Sequence, residues 1–151
     1  MSHNIHISVT LPCNQGRAWQ AIADWEDQGR WMLQSKVWVT SQIREGVGTS
    51  IAAFTGPLYK SYPKFAKFGL LDTMVVSNWQ PPIRCDVLHT GKVLKGTGTF
   101  ELVKISESAT KFNWSEDIEC SRLQFLAIYP FLWIGVRISL ARLSTSLRPP
   151  E

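Results

Sequence analysis

The sequence predicts an α+β chain in which one antiparallel sheet is covered on its dry face by a long C-terminal helix. Three observations carry that expectation. The middle of the chain is a series of alternating apolar and polar runs broken by Gly- and Pro-containing turns, the pattern of a strand meander. The end changes period: Trp133, Val136, Leu140, Leu143 and Leu147 step by 3 and 4 residues and share one helical face. A sheet with one dry face must be covered, and only this last segment is long enough to do it.

Each element follows in order. Ile5, Ile7, Val9 and Leu11 alternate with His6, Ser8 and Thr10, a half-buried strand that Pro12 ends. Asn14 is placed to cap a helix carrying Trp19, Ile22 and Ala23. A second short helix is expected across Asp24 to Leu33. Strands are then expected over 37–43, 49–55, 70–79, 83–89, 93–105 and 110–119. Arg44-Glu45-Gly46-Val47-Gly48 turns between the first two, Pro81-Pro82 closes the third, and Thr90-Gly91-Lys92 signals a hairpin. The chain ends in the helix, which stops before Pro149-Pro150 and which Pro130 either kinks or opens.

Composition narrows the class. The 151 residues suit a single domain spanning 1–151, and 44% hydrophobic with 19% charged residues is a globular balance. Seven Trp and seven Phe are many for this length and could line a cavity for a flat apolar ligand. The net charge of +4 is spread thinly along the chain, which argues against a nucleic-acid partner. Cys13, Cys85 and Cys120 are an odd, scattered set, with neither a disulfide framework nor zinc-ligand spacing, so no metal is expected and a reducing cytoplasm is. The alternating N-terminus does not read as a signal peptide. Leu123 to Val136 is almost free of polar side chains but spans only 14 residues before Arg137, with Pro130 inside, whereas a spanning helix needs about 20. A buried core helix is the expectation there. Neither a Gly-x-Ser-x-Gly elbow nor a dinucleotide fingerprint is present, and no cofactor is expected.

Several segments in sequence carry a family likeness. They are Asp24-Trp25 with Arg30-Trp31-Met32, Asn78-Trp79-Gln80-Pro81-Pro82-Ile83-Arg84-Cys85, His89-Thr90-Gly91-Lys92-Val93, Gly96-Thr97-Gly98-Thr99-Phe100-Glu101 and Phe112-Asn113-Trp114-Ser115-Glu116. With these the chain resembles the SRPBCC superfamily, which holds START-related lipid-transfer domains, polyketide cyclase/dehydrase-like proteins and birch-pollen-allergen-like proteins; it is most similar to the actinobacterial branch. The resemblance covers nearly the whole chain. It implies the helix-grip fold, in which the sheet wraps the long helix around a cavity, and the binding of an apolar small molecule; a minority of members catalyse cyclisation or dehydration. The segment from Tyr59 to Phe68 departs from the family pattern in being longer and more basic.

Strand parity then sorts the candidate site residues, since alternate residues share a face. Phe112, Trp114, Glu116 and Ile118 should face the helix, which makes Glu116 a carboxylate on an apolar face. Such a group is costly unless paired, and such groups cluster at functional sites; a rim position and an ion pair with a helix arginine would explain it structurally. His89 shares the inward parity of Ile83, Cys85 and Val87, although its place beside a turn also suits a solvated histidine. Gly96 and Gly98 read as bending points of a strand. Trp31, Met74, Val87, Phe100, Trp133, Val136 and Leu140 complete the expected pocket lining, beside Phe112, Trp114, Glu116 and His89.

The resulting expectation is binding or carriage of a lipid, isoprenoid or polyketide-like molecule, oriented by Glu116 and His89. One alternative is a cyclase or dehydratase using those two groups as acid and base, for which no further catalytic residue is evident. The other is an interaction domain whose cavity has collapsed around its aromatics. Tyr59, Tyr62, Phe65 and Phe68 recur every three residues among Lys60, Lys64 and Lys67, which reads either as an ordinary excursion whose aromatics pack onto the sheet edge or as a flap making transient membrane contact.

Overall fold

Alternating strands of this kind can bury one face only by pairing edge to edge and turning the same parity inward. In the computed structural model, which describes residues 2–56, 64, 69–92 and 94–148, they do so as one seven-stranded antiparallel sheet. The strands are β1 (Ser2–Leu11), β2 (Ser35–Val39), β3 (Ser50–Thr55), β4 (Leu70–Gln80), β5 (Arg84–His89), β6 (Gly96–Ser106) and β7 (Ala109–Glu119). Their order is β1-β7-β6-β5-β4-β3-β2, so the meander from β2 to β7 returns to the first strand. The crossing from β1 to the far edge is made by α1 (Gln15–Ala23), a 3-10 turn at Trp25–Asp27, and α2 (Gln28–Trp31). Asn14 caps α1 by accepting from the Arg17 N–H, as its position predicts. The fifth meander strand starts three residues later than expected, at Gly96.

The buried side chains confirm the parity. Ile5 and Ile7 of β1, Phe112, Trp114 and Ile118 of β7, Leu102 of β6, Cys85 and Val87 of β5 and Val76 of β4 form one cluster. Register shifts at Val76/Asn78 and at Lys104/Ser106 mark irregularities of the kind that bend a sheet.

The C-terminal helix α3 (Arg122–Ser146) begins well before Pro130, which therefore lies inside it. Ser121 and Gln124 form a reciprocal capping box that sets this start. The helix runs beside β1: the His3 ring stacks on Phe125 at 4.5 Å, and Arg137 Nη1 donates to the Ser8 carbonyl. It is tied to α2 as well, where the Ser139 hydroxyl accepts from the Leu33 N–H and Arg142 donates to the Arg30 carbonyl. Val136, Leu140, Leu143 and Leu147 are buried as expected.

Two expectations for α3 are corrected. Leu123 to Val136 is not a buried core helix: Leu123 and Phe131 are each 80% exposed, and Leu126 and Ile134 are exposed beside them. Trp133, expected to line the pocket, is 41% exposed, and Leu132 packs against the core instead. The reason is geometric. A helix laid on a sheet edge buries one stripe, here continued by Phe125 and Leu132, and a segment apolar on every side leaves the rest of its surface outside.

Candidate functional site

Among the described residues, the acidic side chains on the inner face of the sheet meet at one place, where three strands bring together Asp72, His89 and Glu116. The register explains the meeting. Val87 of β5, Gly98 of β6 and Glu116 of β7 lie in one row, and Met74, His89, Gly96 and Ile118 lie in the next. His89 and Glu116 are thus two strands apart and diagonal to each other, a span that side chains bridge only if the strand between them presents nothing. Glycine at 98 provides that gap. A methyl on Gly98 would stand 3.0 and 3.1 Å from the two Glu116 carboxylate oxygens. Gly96 has φ +127°, and a methyl there would lie 1.8 Å from the Asp117 carbonyl oxygen. Close approach, in addition to strand bending, accounts for both glycines.

The imidazole is held from both sides. His89 Nδ1 is 2.9 Å from Asp72 Oδ1, and Nε2 is 2.8 Å from Glu116 Oε2. Ionised carboxylates only accept, so both contacts are hydrogen bonds when the ring is an imidazolium donating twice. Burial by itself would lower the ring's pKa, but the hydrogen bonds and charges of the two carboxylates outweigh it, pushing His89 up to about 10. Glu116 is also raised: burial drives its carboxyl up and the Asp72 charge adds to that, against the stabilising imidazolium. The indole N–H of Trp114 sits close enough to Glu116 to favour its ionised form, without completing a hydrogen bond of good geometry. Cys85 lies on the same face, where burial, with Asp86 adding to it, pushes the thiol up to about 12; it is not an activated nucleophile.

Glu116 therefore pairs with a histidine of the neighbouring strands and not with an arginine of the helix. Asp72 is the member that the sequence reading missed. The signal was its parity, two residues from Met74 on the same strand face.

The other candidates divide. Val87, Phe100 and Trp114 line the same inner face, with Phe100 5.0 Å from Trp114 and 5.5 Å from Phe112 between ring centroids. Met74 is half-buried beside His89. Phe112 and Leu140 are fully buried and act as core, with Val136 against them. Trp31 is buried, but it lines a surface groove of about 690 Å³ between α1, α2 and α3, with Arg17, Arg30 and Arg142 at its margins. The aromatic series Tyr59, Tyr62, Phe65 and Phe68 falls outside the described residues.

A seven-stranded antiparallel sheet returning onto its first strand, with a long C-terminal helix along it, is the helix-grip fold of START-type proteins. A START superfamily protein from Mycobacterium smegmatis superposes with a TM-score of 0.74 at 10% identity, covering 97% of this chain and 99% of that one. The Zhui aromatase/cyclase from Streptomyces sp. R1128 does so with 0.65 at 10% identity, over 97% and 92%. The Aha1 dimer from Colwellia psychrerythraea gives 0.67 at 14% identity, over 96% of each. No family model matches the sequence, and no curated protein matches it. At these identities the likeness establishes the fold.

Proposed function

We propose that the chain binds and carries an apolar small molecule against the inner face of its sheet, with the Asp72–His89–Glu116 cluster orienting one polar end. The observation that carries this reading is the charged cluster that, among the described residues, two acids and a buried histidine form on the inner face of the sheet. A structural core gains nothing from it, since a buried charged set is typically no more stabilising than well-packed apolar residues of the same volume. Buried polar groups beside aromatic walls are the usual composition of a small-molecule site. The fold shared with a START superfamily protein and with an aromatase/cyclase supports the same reading. The cyclase alternative is weakened by the histidine, because a ring engaged at both nitrogens has no lone pair to serve as a base. Native mass spectrometry of freshly purified protein tests the proposal. A non-covalent adduct that dissociates on denaturation and is extracted by organic solvent is expected; a bare polypeptide mass that takes up no added apolar compound would overturn it.

A carrier of this kind needs a route for loading, and the outer side of α3 favours a membrane surface. Its first half exposes Leu123, Leu126, Phe131 and Ile134. The helix contains Arg122, Arg137 and Arg142 and no Asp or Glu. Apolar surface with cationic flanks matches an anionic lipid interface. Anchored to the core by Val136 to Leu143, the helix would lie along such a surface.

A further inference from the structure

The cluster carries more information than the presence of a polar end. We infer that it selects, among apolar ligands, neutral molecules that present a hydroxyl group, an alcohol or a phenol, and rejects those ending in a carboxylate or phosphate. The inference rests on the binding reading above and concerns the same site.

The first observation is which atoms remain available. The His89 side chain is 2% exposed, whereas Asp72 and Glu116 keep 20% and 12% of their side-chain surface. The ring uses Asp72 Oδ1 and Glu116 Oε2, so Asp72 Oδ2 and Glu116 Oε1 are left over. A ligand reaching the cluster therefore meets carboxylate oxygens, which accept hydrogen bonds and donate none when ionised. The second observation is charge. With both acids ionised, two carboxylates around one imidazolium sum to −1, and among the described residues the ion pairs of both acids are with His89 alone. An anionic end group placed beside them would meet like charge in a low-dielectric setting, where repulsion is strongest.

The third observation concerns the indole beside the same carboxylate and decides between donors. Trp114 is 9% exposed, and its buried indole N–H faces Glu116 without completing a hydrogen bond of good geometry. A buried N–H without a full hydrogen bond is costly and calls for an acceptor. A hydroxyl is the small group that answers both demands at once: it donates to Glu116 Oε1 and accepts from the Trp114 N–H. An ammonium would satisfy the carboxylate and leave the indole unsatisfied, and a carboxylate would satisfy the indole and oppose the acids.

Three fluorescent probes with one flat apolar body test this: pyrene, 1-pyrenemethanol and 1-pyrenecarboxylate, titrated against the full chain. The expected order of affinity is pyrenemethanol, then pyrene, then pyrenecarboxylate. The alcohol should exceed the acid by at least about tenfold, the size of one hydrogen bond to a charged group. Glu116→Gln should shrink the gap between alcohol and acid, and Trp114→Phe should remove most of the alcohol's advantage over pyrene while keeping the ring that packs on Phe100. Circular dichroism checks that each variant is folded, and either one suffices if the other is not. Binding of all three probes with equal affinity, or tighter binding of the acid, overturns the hydroxyl inference and leaves the binding reading standing. Failure of every probe to bind overturns both.

Discussion

Gly98→Ala is a small change with a specific consequence, because the added methyl would arrive 3.0 to 3.2 Å from the Glu116 carboxyl group. Ordinary contact lies several tenths of an ångström further out, so the carboxylate must retreat, and the 2.8 Å bond to His89 Nε2 lengthens or breaks. Loss of a hydrogen bond between charged groups costs about 1.5–3 kcal/mol. Replacing Gly by Ala returns about 0.4–1 kcal/mol by restricting the unfolded chain. The expected net effect is destabilisation of about 1–2 kcal/mol, read as a lower midpoint in urea at an unchanged slope. The same change should shift the imidazole, because Glu116 is one of the two groups holding it at about 10. Its titration, followed by NMR of the ring carbons, should move downward while Asp72 keeps it above the ordinary histidine value. A Gly98→Ala protein that is as stable as the parent, with His89 titrating unchanged, would show that β6 glycine is not what admits the pair.

Three further outcomes follow from the same geometry. A histidine whose folded pKa is raised contributes stability that is complete below its unfolded value, about 6.5, and is lost as the pH climbs through the folded value, about 10; denaturation from pH 6 to 10 should show a decline of a few kcal/mol that His89→Gln lacks, and an identical profile in both proteins would refute the imidazolium. Leu140→Ala, at a fully buried position, should cost about 2–5 kcal/mol, whereas Leu123→Ala, on the same helix but outside, should cost well under 1 kcal/mol; equal losses would mean that the first half of α3 is covered. Sedimentation with phosphatidylcholine vesicles containing phosphatidylglycerol should pellet the protein at low salt and less at high salt, and Phe131→Ser with Ile134→Ser should abolish pelleting without lowering stability. If instead the parent protein ignores vesicles and forms dimers that this pair of changes dissociates, the exposed helix face meets a second copy and not a membrane.

The order of elements, the inward parity of β5 and β7, and the helix cap at Asn14 were all legible in the sequence, because each depends on residues a few positions apart. Alternation sets which side chains share a strand face, and a polar side chain before a helix answers its own first turn. Those local rules placed His89 and Glu116 on the apolar side of the sheet, and Trp114 and Phe100 with them. They said nothing of how far apart the two titratable groups would lie. That distance belongs to the register between β5, β6 and β7, which the pairing of separate strands decides and which turned two separate candidates into one bonded pair. Asp72 joined them only because β4 pairs with β5, and Gly98 acquired its meaning only once a carboxylate lay beside it. The long helix shows the limit most plainly. Apolar composition from Leu123 to Val136 reads as burial, but burial requires a surface opposite each side chain. Sheet and short helices supply one such surface, along Phe125, Leu132, Val136, Leu140 and Leu143, and the opposite face of the helix is left outside by tertiary structure alone.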